Sequence, residues 1–230
     1  MKEVELRFVD DAEAVARAAA EELAAAARRG AHVALSGGGT PRRAYELAAE
    51  NLDDWSAATL WFGDDRCVPP DHEDSNYRMV REALLDRIAR PPAVRRIEGE
   101  LDPDEAARRY DEQLRGVTID LALMGLGPDG HTASLFPEAP ELDERERRAV
   151  AAEAGMEPFV PRVTMTVPVF EAARSVLFLV VGEEKADAAA RAFGSAPSPR
   201  TPASLTRSRE GRTAALLDPA AAIRLRGDAM

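Results

Sequence analysis

A single cysteine, Cys67, among 230 residues rules out an intrachain disulfide and fits a reducing compartment. Its loop offers it no matching basic partner, so a thiol nucleophile is a poor reading. Long apolar runs are missing. No stretch approaches the roughly 18 uninterrupted apolar residues of a membrane span. The amino terminus is charged from its second residue, without the apolar run of a signal peptide. Positive charge is in deficit, with 30 Lys and Arg against 41 Asp and Glu for a net charge of −11. That speaks against a general nucleic-acid or membrane-surface binder, although a local basic cluster can still hold a small anion. Asp71, His72 and Asp74 resemble a metal cluster only superficially, because their loop is polar throughout and no second cluster has matching spacing. Internal repeats and domain linkers are also lacking. With 45% hydrophobic residues, the chain reads as one soluble, cytoplasmic domain over residues 1–230.

What is present alternates between two periods. Val4–Val9 reads as a strand, and Asp10 or Asp11 caps an Ala-rich helix that runs to Arg29 and ends at Gly30. His32–Leu35 is a second strand and leads into Ser36-Gly37-Gly38-Gly39-Thr40; Pro41 then suits the first turn of a helix. Thr59–Phe62 is a third strand, ending in Gly63-Asp64-Asp65-Arg66, and Ser75 caps a helix reaching Ile88. A helix over Asp102–Leu114 and a strand over Asp120–Met124 follow. Residues 137–161 are acidic and irregular, predicting a surface loop with a short helix. Arg162–Thr166, Ser175–Val181 and Thr213–Leu217 read as strands, the second continuously apolar and so central; a helix runs from Lys185 to about Ala192. This order predicts a doubly wound α/β fold, a mainly parallel sheet with helices on both faces. In such a sheet the loops after Leu35, Phe62, Met124 and Val181 lie at one edge and can converge.

Those loops carry the candidate chemistry. Three consecutive glycines at Gly37, Gly38 and Gly39 let backbone approach a ligand closely, and the N–H groups opening the next helix favour an anion. Ser36 and Thr40 add hydroxyls, and Arg42 or Arg43 either assists or is solvated. The loop is neither a Walker motif nor G-x-G-x-x-G. Asp64-Asp65-Arg66 is a surface ion pair or, at a strand end, a guanidinium held by carboxylates and offered to an oxyanion or a phosphate. Of three histidines, His32 opens a strand and His72 lies in a charged loop. His131 follows a turn containing Gly125, Gly127 and Gly130, with Asp129 two residues before it and Ser134 three after. An imidazole titrates near neutral pH, so it can take and give a proton there; a structural histidine in a turn is the other reading. Ser134 lacks the G-x-S-x-G elbow of a serine hydrolase. Lys185 near a helix N-terminus opposes the dipole, which hints at another partner, and Arg162 opens a strand.

Taken together, these segments resemble the 6-phosphogluconolactonases. L-S-G-G-G-T-P at 35–41, G-D-D-R-C-V-P-P-D-H-E-D-S-N-Y at 63–77, G-L-G-P-D-G-H-T-A-S-L-F-P at 125–137, P-R-V-T-M-T at 161–166 and V-G-E-E-K-A at 181–186 follow the family's order across nearly the whole chain. One departure is Asp65, where the family usually has Glu. Being one methylene shorter, it would have to remake any carboxylate contact that orients Arg66. The related amino-sugar phosphate deaminases share the G-x-G-x-D-G-H loop but typically continue toward Asn-Glu-Pro. The resemblance implies a Rossmann-like fold and hydrolysis of 6-phosphoglucono-δ-lactone, a small-molecule substrate, in the pentose phosphate pathway. It implies His131 as general base, Asp129 as its orienting group and Arg66 at the oxyanion, with backbone N–H groups of the glycine turn. Substrate contacts would come from Ser36, Gly37, Gly38, Gly39, Thr40, Arg42, Gly127, Ser134, Arg162 and Lys185, with neither metal nor organic cofactor, in a monomer or weak homodimer. The alternatives are a glucosamine-6-phosphate deaminase or isomerase, and a non-catalytic phosphosugar-binding protein.

Overall fold

The computed structural model describes residues 3–225. Its strands are β1 (Glu5–Phe8), β2 (His32–Leu35), β3 (Thr59–Phe62), β4 (Asp64–Arg66), β5 (Ala93–Arg95), β6 (Leu121–Gly125), β7 (Ala149–Ala152), β8 (Arg162–Met165), β9 (Ser175–Val180) and β10 (Arg212–Leu217). The α-helices are α1 (Ala12–Arg28), α2 (Gly39–Asn51), α3 (Asn76–Ala83), α4 (Pro103–Leu114), α5 (Val167–Ala172) and α6 (Ala186–Gly194). Seven strands form one parallel sheet in the order β1-β10-β9-β6-β2-β3-β5. Successive side chains of a strand point to opposite faces, so a strand buried at every position has both faces covered. Leu121–Met124, Val176–Val180 and Thr213–Leu217 are buried throughout, as that arrangement requires. The fold is therefore the doubly wound α/β class that the alternation predicts.

Several local signals act where the sequence places them. Asp11 accepts the Ala14 N–H at the start of α1, and Asp102 caps α4. Gly30, at φ +70°, ends α1, and its missing Cβ leaves room for the Ala57 carbonyl. Among the described residues, no helix is long and apolar enough to cross a membrane.

Four expectations need correction. The helix capped by Ser75 ends at Ala83 and gives way to a 3-10 turn over Leu85–Arg87, short of Ile88. Residues 137–161 hold a strand, β7, besides a short 3-10 helix over Pro140–Asp143. Strand β8 does not join the parallel sheet; it lies between β4 and β7 in a separate antiparallel sheet. Lys185 closes a 3-10 turn that precedes α6.

Two tyrosines finish strand ends that the sheet leaves incomplete. Strand β5 pairs with β3 only as far as Trp61. At Phe62 the buried Tyr110 hydroxyl takes over, accepting the Phe62 N–H at 2.8 Å and donating to its carbonyl at 2.9 Å. The Tyr45 hydroxyl does the same for Ser36, at 3.0 and 2.8 Å. Each phenol thus fixes the residue from which a functional loop departs. Tyr110→Phe leaves two buried backbone groups of Phe62 unpaired. It is expected to lower the unfolding free energy by about 1–3 kcal/mol, read by urea denaturation. A loss below about 0.5 kcal/mol would show that the hydroxyl does not hold the strand end.

Candidate active site

The loops at the carboxyl edge of the parallel sheet enclose a cleft of about 270 Å³. Ser36–Pro41 after β2, Gly125–Pro128 and His131–Ala133 at the end of β6 and beyond it, and Val181 and Lys185 after β9 line it from the main sheet. Asp64 and Arg66 of β4, Asn76 at the start of α3 and Arg162 of β8 line it from the small sheet. The convergence of strand-end loops expected from the sequence is therefore present.

One wall is cationic. Arg66 and Arg162 stand directly opposite each other in the β4–β8 pair. Burial, with Arg66's charge next, lowers the pKa of Arg162. Arg162 donates from Nη2 to the carbonyls of Met156 and Pro158, and its guanidinium lies 5.6 Å from the centre of the Phe136 ring. Arg66 donates from Nη1 to the Asp74 carbonyl at 2.7 Å and to Asn76 Oδ1 at 3.1 Å. The carboxylates beside it in sequence do not hold its guanidinium, contrary to the expectation. Asp65 instead accepts the Arg66 backbone N–H, at 2.8 Å. Lys185 completes the basic set; burial depresses its pKa despite the negative charges of Glu184 and Asp129. Ser36 Oγ, Arg66 Nε and Arg162 Nε are buried without a hydrogen-bond partner among the described residues. The glycine loop faces the same space. Gly38, at φ +106°, precedes α2, whose opening N–H groups have no intrahelical partner.

His131 lines the same cleft. Its Nδ1 lies 2.6 Å from Asp129 Oδ1, which also accepts the His131 backbone N–H at 3.0 Å. Burial alone would raise the Asp129 pKa, but the hydrogen bonds and charge of His131 outweigh it and leave the carboxyl lowered. Ionised Asp129 can only accept, so Nδ1 carries a proton and Nε2 of neutral His131 is left as the acceptor. A side chain on Gly127 would put its Cβ 1.9 Å from His131 Nδ1 and 2.7 Å from Asp129 Oδ1. Gly127, read from sequence as a substrate contact, is thus first a packing requirement of this pair. Phe136 packs on the imidazole with ring centres 5.0 Å apart.

Two residues counted among the substrate contacts lie outside the cleft. Arg42 is half exposed on α2 and pairs with Glu46 and Glu82 at 3.6 and 3.9 Å. Ser134 is fully buried and donates to Asp64 Oδ2 at 2.7 Å, so it acts on the cleft only through Asp64. Conversely, sequence reasoning passed over Asp64, Asn76 and Phe136. Asp64 sits in the recognised Asp-Asp-Arg run, and Asn76 follows the Ser75 cap; an uncharged helix-opening residue gives no chemical signal of its own. Among the described residues no group of three or more His, Cys, Asp or Glu side chains is disposed to hold a metal.

Fold and cleft define an α/β protein that brings a cluster of basic side chains and a carboxylate-paired histidine to one cleft. The chain belongs to the glucosamine-6-phosphate isomerase/6-phosphogluconolactonase family, whose model matches residues 10–215. It is 40% identical to a human 6-phosphogluconolactonase over 227 residues, covering 92% of this chain and 86% of the relative. A 6-phosphogluconolactonase of Streptomyces coelicolor is 36% identical over 241 aligned positions, with coverage of 94% and 92%. The structure of 6-phosphogluconolactonase from Trypanosoma brucei superimposes with a TM-score of 0.88 at 26% identity, covering 98% of this chain and all of the other.

The packing at Gly127 has a consequence that needs no substrate. A hydrogen-bonded Nδ1–H proton of His131 should be visible by NMR in the unaltered protein and lost in both Asp129→Ala and Gly127→Ala. A signal that survives Gly127→Ala would show that the ring does not depend on the missing side chain.

Proposed function

We propose that this chain hydrolyses 6-phosphoglucono-δ-lactone to 6-phosphogluconate, and that His131 is the general base. The observation that carries the reading is His131, paired with Asp129, facing the same cleft as Arg66, Arg162, Lys185 and the Ser36–Thr40 loop. A phosphate carries nearly two negative charges at neutral pH. The α2 N–H groups, the Ser36 and Thr40 hydroxyls, Lys185 and Arg162 offer it donors, and an acidic protein of net charge −11 has few other places for it. Anchored there, the lactone extends toward His131.

Nε2 of His131 takes a proton from water as the water oxygen adds to the C1 carbonyl. Nδ1–H stays on Asp129, whose charge stabilises the imidazolium. The carbonyl oxygen becomes an oxyanion and meets Arg66, whose Nη2 has no hydrogen-bond partner among the described residues. The tetrahedral adduct then collapses, the bond from C1 to the ring oxygen breaks, and the imidazolium returns its proton to that oxygen. Asp64, with Oδ2 held by Ser134 and Oδ1 left unpaired among the described residues, suits a sugar hydroxyl. Every group in this scheme comes from one chain, so the reading asks for no second copy, and the lone cysteine agrees with a cytoplasmic setting.

The segment after His131 favours lactone hydrolysis over deamination, because it is built into the cleft. Thr132 Oγ1 donates to the Gly125 carbonyl at 2.7 Å, Ser134 supports Asp64, and Phe136 backs both His131 and Arg162. The direct test is a dehydrogenase-coupled assay on freshly made lactone, corrected for spontaneous opening, beside an ammonia assay on glucosamine 6-phosphate. Only the first is expected to register.

His131→Ala should lower kcat by about 10²–10⁴ with KM little changed; a kcat within a few-fold of wild type would remove the general base. Lys185→Ala should raise KM by roughly tenfold or more, the scale of one charge-assisted hydrogen bond. Arg42→Ala should stay within about twofold, as befits an exposed ion pair. Equal effects of the two would move the phosphate away from the cleft.

A further inference from the structure

Between the glycine loop and Arg66 lies one amide side chain that nothing above uses. Asn76 is 3% exposed. Three of its polar groups each bind one of three consecutive residues of β4. The backbone N–H donates to Asp65 Oδ1 at 2.7 Å, Nδ2 donates to the Asp64 carbonyl at 3.0 Å, and Oδ1 accepts from Arg66 Nη1 at 3.1 Å. On its other side the amide presses on the anion loop. A Cβ built on Gly37 would fall 2.2 Å from Asn76 Oδ1, 2.8 Å from Cγ and 3.0 Å from Nδ2. Gly37 therefore lacks a side chain because the Asn76 amide occupies that space.

We infer that Asn76 is a positioning residue: its amide holds the Arg66 guanidinium at a set distance from the Ser36–Thr40 loop and leaves Nη2 turned to the reacting carbonyl. The geometry needs a donor at one end and an acceptor at the other, which only an amide supplies here. A carboxylate at this position would set an oxygen against the Asp64 carbonyl and neutralise Arg66. An aliphatic side chain would release Nη1 from one of its two anchors. The inference rests on the reading of Arg66 as the oxyanion partner, since a guanidinium without that task would have no need of placement.

The test is a double-mutant cycle on the full chain with the lactone as substrate, in which Arg66→Ala, Asn76→Ala and the double variant are compared for kcat and KM. Arg66→Ala is expected to lower kcat by about 10²–10³, the effect of losing one oxyanion donor. Asn76→Ala should lower kcat by roughly tenfold while KM stays within a few-fold. The double variant should be no slower than Arg66→Ala alone, because the amide acts only through that guanidinium. Two single effects that multiply in the double variant, or a loss confined to KM, would overturn the inference while leaving the Arg66 assignment standing. Wild-type kcat in Arg66→Ala would instead remove the oxyanion assignment, and the positioning role with it. Asn76→Asp covers the case in which Asn76→Ala does not fold. It is nearly isosteric and should lose kcat at least as severely, whereas a variant at wild-type kcat would refute the role.

Discussion

The Asp65 carboxylate accepts the backbone N–H groups of Arg66, Asn76 and Tyr77 at 2.8, 2.7 and 3.0 Å, with the Ser75 hydroxyl at 3.4 Å. It thereby ties the short strand that carries Arg66 to the first turn of α3, two segments separated by a polar loop. Arg66 and Asn76 reach the cleft because of that tie. Burial pushes the Asp65 pKa up to about 6, against the opposing pull of its N–H donors. A carboxyl raised in this way favours the folded state most fully below its unfolded pKa and loses that contribution as the pH rises through about 6. At neutral pH the fold therefore bears the cost of an ionised, buried Asp65. Asp65 makes its contacts to backbone N–H groups and the Ser75 hydroxyl, and none to the Arg66 guanidinium.

The same economy of charge governs the cleft. Placing Arg66 opposite Arg162 in neighbouring strands is unfavourable by itself. The two are held by neutral carbonyls, an amide and an aromatic face, so their charges remain uncompensated by the side chains that orient them. In a chain with this excess of acid, such a wall is a strong local field for a small dianion. The histidine wall uses the opposite arrangement, with Asp129 paired to its neighbour and the cleft offered a neutral acceptor. Under the proposed reading, phosphate anchoring and proton transfer fall to different side chains of one cleft.

Much of this was legible in the chain. Periodicity located β1, β2, β3, β6, β9 and β10, and the glycine runs marked the loops after three of them. The small sheet was hidden because β4 is a charged triplet and β7 is the unremarkable run Ala-Val-Ala-Ala. Neither has an alternation to detect. Ser134 was misread because its partner Asp64 lies 70 residues away, and a hydroxyl beside a histidine looks like a substrate contact. Arg42 was misread because nothing in sequence says which side of a helix N-terminus faces the loop before it. Gly37 reads from sequence as backbone freedom and Gly127 as a substrate contact, whereas their decisive property is the space they leave to Asn76 and His131.

A crystal structure with 6-phosphogluconate bound tests the central claim most directly, which is that one cleft holds phosphate on the glycine-loop side and the reacting carbon on the histidine side. Phosphate oxygens are expected on the Ser36–Thr40 amides and near Lys185. The C1 carboxylate is expected within about 3 Å of His131 Nε2, the reach of proton transfer. A product lying the other way round, or with C1 remote from His131, would contradict that claim.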